Sequence, residues 1–179
     1  MLTDAQRRAK APVSAVLAGP YGHPLHPILI TVPIGAWVAS LVFDIASHLT
    51  GDPGFLTHGS QWLIALGVIG ALAAALVGLL DLRVIPSGTS AFRVGVTHMA
   101  LNLLVTLAYA GDFAWRRAAQ PPAQAVRPAM LALSAVALAL LGISGYLGGK
   151  LAYRYGVRVA DETTQAEGYT GHGAADQGP

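Results

Sequence analysis

Residues 61–80 read QWLIALGVIGALAAALVGLL, a run with no charged side chain. At about 1.5 Å rise per residue, an α-helix of that length extends about 30 Å, the thickness of the hydrocarbon core of a bilayer. The stretch is therefore a transmembrane helix. Composition agrees: the chain is 54% hydrophobic and 11% charged, where a soluble domain carries roughly 25% charged residues. Lipid is the solvent for most of this chain.

Outward from that run, three more windows reach spanning length: Pro27 to Leu49, Ala91 to Gly111 and Ala129 to Gly149. Short connections favour antiparallel neighbours, so the expected fold is all-α, an integral membrane four-helix up-down-up-down bundle. Residues 1–22 form an N-terminal segment without the continuous apolar core of a cleaved signal. Residues 23–160 make the transmembrane domain, with spans at about 27–49, 61–80, 91–111 and 129–149. Residues 161–179, polar and rich in Gly, are expected to be disordered. The spans consume nearly all the length, leaving no room for a separate soluble domain.

Basic residues set the orientation. Arg7, Arg8, Lys10, Arg83, Arg93, Lys150, Arg154 and Arg158 fall on one side, and Arg116, Arg117 and Arg127 on the other. The excess places both termini in the cytoplasm. Scattered between spans, these cations suit anionic lipid headgroups and give no support for nucleic acid as a partner. Small residues point to contact faces, because close backbone approach supplies packing energy in lipid. Gly70, Ala74 and Gly78 recur at four-residue spacing in the second span, as do Gly67, Ala71 and Ala75, and Gly145 with Gly149 in the fourth.

Chemistry must come from histidines and carboxylates, since the chain has no cysteine for disulfides, thiolate catalysis or iron–sulfur ligation. Before the first span, Tyr21 to Pro27 read YGHPLHP. His23 and His26 each precede a proline, which biases the backbone to extended forms, and Pro27 suits a first helical position. These imidazoles are either ligands or proton carriers, or they sit among headgroups at a helix entry. His98 falls about two turns into the third span, where a polar side chain needs a partner. Asn102 lies one turn further on the same face, and Gly95 removes bulk beside His98, leaving room for a flat ligand. The plainer reading is that His98 and Asn102 bond neighbouring helices. His26 and His98 fall at similar depth and are expected to face each other.

A second polar group lies near the opposite surface. Asp44 is five helical turns beyond His26, with Pro33 between them as a candidate kink. His48 follows one turn later and His58 in the next loop. Asp44 and His48 either handle protons or mark the wet end of the helix. Asp81 ends the second span near the level of His23 and His26, where it can orient an imidazole or pair with Arg83 or Arg93. Three ligands from His23, His26 and Asp81 would suffice for zinc with a water, but their separation does not follow from sequence, so no metal is assigned.

GHPLHPILITVPIGAWVASLVFD (22–44), GLLDL around Asp81, THMALN around His98 and Asn102, and SGYLGGKLAYRYGVRV (144–159) occur in that order. Together they resemble a bacterial domain-of-unknown-function family of four-helix membrane proteins, recognised by GHPLHP and often fused to or encoded beside Rieske iron–sulfur domains. The resemblance covers about residues 20–160. It implies a multi-pass protein of the bacterial cytoplasmic membrane with redox business at the inner surface. Any iron–sulfur partner would be a separate polypeptide.

The leading expectation is a small membrane redox protein binding one b-type haem, with His98 and either His26 or His23 as axial ligands, exchanging electrons with an iron–sulfur or cytochrome protein. The second and fourth spans carry no histidine, which argues against two haems. The alternative is a non-catalytic membrane anchor or structural subunit of a larger respiratory or photosynthetic complex. A proton path through Asp44, His48 and His98 ranks third, because paired broken helices are missing. Ser40, Ser134 and Ser144 lack the base and orienter that a nucleophile needs, so the chain is not expected to be a catalyst by itself.

Overall fold

The computed structural model describes residues 3–10 and 25–167. A short helix α1 (Asp4–Lys10) precedes α2 (Leu25–Leu29) and α3 (Thr31–Ser47). Then come α4 (Gly54–Arg83), α5 (Ser90–Ala119), α6 (Pro128–Gly149), a π-helical turn (Lys150–Arg154) and α7 (Glu162–Glu167). Four helices are long and apolar enough to cross a membrane: α2 with α3, α4, α5, and α6 with its π-helical turn. Among the described residues there is no strand, and the fold is an all-α membrane bundle.

Local sequence explains the boundaries. Pro33 has no N–H to offer the carbonyl of Leu29, and its ring crowds that carbonyl, so the first span breaks at Ile30. Thr89 caps α5 by accepting from the Phe92 N–H at 3.1 Å. Pro128 occupies the first turn of α6, where a missing N–H costs nothing. Two helices exceed the expected spans. α4 begins at Gly54 instead of 61, and α5 continues to Ala119 instead of stopping at 111. Asp112 and Arg116 are therefore helical residues, not loop residues. Within the tail expected to be disordered, 162–167 is helical, and residues beyond 167 lie outside the described residues.

The bundle turns large apolar side chains outward and buries polar ones alongside an apolar layer. Leu66, Ile69, Leu72 and Leu76 of α4 and Leu103, Leu104 and Leu107 of α5 are exposed, whereas Asp44, Ser60, Asp112, Ser134 and Ser144 are fully buried. At the waist lies an apolar layer of Trp37, Ile64, Val105, Tyr109 and Ala137. Trp37 and Tyr109 stack with ring centroids 4.2 Å apart and planes 11° from parallel, and Trp37 Nε1 donates to the Ile64 carbonyl at 3.3 Å.

Small residues on α4 let the first span lie against its backbone. A Cβ at Gly67 would run into the Trp37 indole, one at Gly70 would meet Val32 and Pro33, and one at Gly78 would meet the His26 ring. The first span thus descends a track of Gly67, Gly70, Ala74 and Gly78, taking one residue from one expected row and three from the other. Ala75 is exposed instead. Gly145 departs from expectation: it is exposed, with nothing within 4 Å of an added Cβ. Small size permits close approach without compelling it. Gly145→Ala is accordingly expected to change stability by no more than about 0.5 kcal/mol in detergent unfolding, because it fills open space on a helix surface.

Candidate functional site

Two polar clusters occupy opposite ends of the bundle, with the Trp37 and Tyr109 layer between them. At the end nearer the termini, α2 supplies His26 and α5 supplies His98. Their ring centroids are 6.5 Å apart, with planes at 78°. A backbone carbonyl can only accept, so its partner nitrogen must carry the proton. His26 Nδ1 donates to the Ala74 carbonyl of α4 at 3.0 Å, and His98 Nδ1 donates to the Ser144 carbonyl of α6 at 2.8 Å. In the neutral rings the lone pair therefore lies on Nε2 of both. That tautomer, with Nδ1–H held by a carbonyl, is the one that ligates metal through Nε2.

Helix backbone backs each ring. Gly78 of α4 lies against His26 and Gly148 of α6 against His98, with an added Cβ meeting either ring at 3.0 Å. Any larger residue at these positions would push the imidazoles out of place. Asn102 Nδ2 donates to the His98 carbonyl at 2.9 Å and lies over the His98 ring, 3.1 Å from Nε2 and 3.4 Å from Nδ1. Ser144 Oγ donates to the same carbonyl at 3.2 Å. Gly95 is buried, and its open side is filled by Leu82, whose Cδ1 would lie 2.7 Å from an added Cβ. Asp81 pairs with Arg158, Nε to Oδ1 at 3.1 Å, and not with Arg83 or Arg93. The loop bearing Arg158 is held against α1, its N–H donating to the Ala9 carbonyl at 3.1 Å. His23 lies outside the described residues. Among the described residues, no group of three or more His, Asp or Glu is gathered closely enough to hold a metal ion.

At the opposite end, all four spans contribute to one buried network. Arg116 of α5 is its hub. Its Nη1 and Nη2 donate to the two carboxylate oxygens of Asp44, each at 2.7 Å, and its Nε donates to Asp112 Oδ2 at 3.0 Å. Nη1 also reaches Ser60 Oγ of α4, and Nη2 reaches Ser134 Oγ of α6, both at 3.1 Å. Ser60 in turn donates to Asp44 Oδ1, and Ser134 to Asp112 Oδ2. The connection 120–127 closes this end. Val126 is buried and its N–H donates to Ser47 Oγ at 3.1 Å, while Thr57 Oγ1 donates to the Gln124 carbonyl at 2.9 Å.

Of the sequence-predicted residues here, Asp44 is central and buried. His48 is exposed at the end of α3, and His58 accepts from Trp62 Nε1 at 3.0 Å on the outer surface. Neither belongs to the network. Sequence reasoning missed Asp112, Arg116, Ser60 and Ser134. The available signal was the D-x-x-x-R spacing of residues 112 and 116, which puts opposite charges on one helix face.

Over residues 22–161 the chain matches a family described as predicted membrane protein (DUF2231), and it belongs to that family. The match spans the four transmembrane helices and both polar clusters. No curated protein and no solved structure matches the chain.

Proposed function

We propose that this protein is a small membrane redox protein that holds one b-type haem between His26 and His98 and exchanges electrons with a separate iron–sulfur or cytochrome protein. The observation that carries the reading is the pair of rings 6.5 Å apart, each with Nδ1 committed to a carbonyl on a different helix. His26 and His98 would hold the group through Nε2, the nitrogen that each Nδ1 bond leaves free. Two protein ligands are too few for a bare divalent ion, whereas haem iron takes four nitrogens from its macrocycle and asks only two of the protein.

When bound, the group would supply a one-electron iron couple, and the Nδ1 bonds to carbonyls would raise the basicity of its two ligands. The chain orients the imidazoles, and Lys150 follows Gly148, the residue that backs His98, by two positions. Asn102, bonded to the His98 carbonyl and packed over the ring, would hold that imidazole in orientation. The Lys and Arg excess at the end bearing the termini supports a site near the cytoplasmic face of a bacterial inner membrane.

A second reading is favoured by a specific feature: both Nδ1 bonds join different helices, as structural hydrogen bonds do. On that reading the chain anchors a larger complex. Oxidised and dithionite-reduced absorption spectra of detergent-purified protein, with a pyridine haemochrome assay, separate the two. A b-type signal at one haem per chain, lost in His98→Ala and in His26→Ala, is expected. A colourless protein that co-purifies with stoichiometric partners supports the anchor.

A further inference from the structure

The network at the end away from the termini contains one guanidinium and two carboxyl groups, all buried, so its formal charges do not cancel. Their environments differ. Asp44 has a full set of donors: Arg116 Nη1 and Ser60 Oγ on Oδ1, and Arg116 Nη2 on Oδ2. This bidentate arrangement belongs to an ionised carboxylate. Asp112 receives Arg116 Nε and Ser134 Oγ on Oδ2 alone, while Oδ1 is buried without a hydrogen-bond partner. An ionised oxygen left bare in the bundle interior costs far more than a neutral one.

We propose that Asp112 is a proton-binding site: its carboxyl is held as the neutral acid, with the proton on Oδ1, beside the ionised pair of Asp44 and Arg116. The cluster is then electroneutral. The titratable or charged groups that face Asp112 are Arg116 on its own helix, Asp44 from α3, and Tyr109 about one turn back on α5. α4 and α6 present only Ser60 and Ser134, which do not titrate. The hydroxyl of Tyr109 donates to the Ser134 carbonyl at 3.1 Å and is not a base for this proton. Asp112, Asp44 and Arg116 are all buried, Val126 of the closing loop is buried and bonded to Ser47, and the stacked Trp37 and Tyr109 occupy the bundle waist. The proton is therefore stored out of contact with water, at the opposite end of the fold from the histidine pair.

Infrared spectra of the full chain in lipid nanodiscs, with melting temperatures, test this assignment. Wild-type protein should show a protonated-carboxyl C=O stretch above the amide bands, absent in Asp112→Asn and lost as well in Asp44→Asn, where Asp112 is the carboxyl left to ionise against Arg116. Asparagine resembles the neutral acid, so Asp112→Asn should melt within about 3 °C of wild type. Asp44→Asn removes the ionised partner of a buried guanidinium and should melt about 10 °C lower. Absence of the band in wild type, its survival in Asp112→Asn, or an Asp112→Asn chain that fails to fold or melts as low as Asp44→Asn would overturn the proposal.

Discussion

Arg116→Leu is expected to destabilise the bundle by about 3–5 kcal/mol, because it removes one partner of a buried ion pair and leaves the other charge uncompensated. Reversible unfolding in mixed micelles measures it. The guanidinium makes five hydrogen bonds that reach all three other spans, so the loss is not confined to one helix pair. Arg116→Lys should recover little of it. An ammonium is a point donor and cannot meet both oxygens of Asp44 while also reaching Asp112 in the fixed fork that arginine provides. Combining Arg116→Leu with Asp44→Leu should cost less than the sum of the single changes, since the second substitution removes the charge that the first one strands. Strict additivity in that cycle would mean that the Arg116 and Asp44 contact contributes nothing of its own.

That same arginine shows where the sequence stops being readable. The four spans follow from length and apolarity, which act on each segment alone. Hydropathy also treats each charge alone, so on that basis Asp112 ends the third span and Arg116 falls in a loop. The structure continues α5 to Ala119 and folds both charges inward. Their partners Ser60 and Ser134 are unremarkable in their own segments, and only the assembled bundle brings them together. The Lys and Arg distribution is sharpened by this, because Arg116 is a buried structural charge and not a loop cation.

The histidine end was more legible. A polar ring inside a span and a second one at equal depth suggested that His98 and His26 face each other, and their centroids lie 6.5 Å apart. What the sequence could not supply is the backing of each ring. Gly78 and Gly148 are ordinary small residues in their own helices, and nothing local marks them as seats for imidazoles on other helices. Nor does spacing tell Gly67, which receives a side chain, from Gly145, which faces open space. Which face a helix turns inward depends on the large side chains opposite it.

Gly67→Leu is therefore expected to cost about 2–3 kcal/mol, as overpacking of a closed layer does, in contrast to the neutral change at Gly145. An added Cβ at Gly67 meets the indole of Trp37. Trp37 has nowhere to retreat: its other side lies against Tyr109 at 4.2 Å, and its Nε1 is bonded to the Ile64 carbonyl. The same unfolding assay in mixed micelles reads the cost, and Trp37→Ala in the Gly67→Leu background should restore part of it by freeing the space. Equal stability of Gly67→Leu and Gly145→Leu would show that the first span tolerates displacement from α4. The consequence extends beyond stability, because Trp37 lies between His26 and Asp44 in the first span, and Tyr109 between Asn102 and Asp112 in α5. Loosening this layer removes the apolar barrier that keeps the histidine pair apart from the buried ionic network, so hydrogen exchange at the Ser60 and Ser134 amides should quicken in Gly67→Leu while that at the lipid-facing Leu72 changes little.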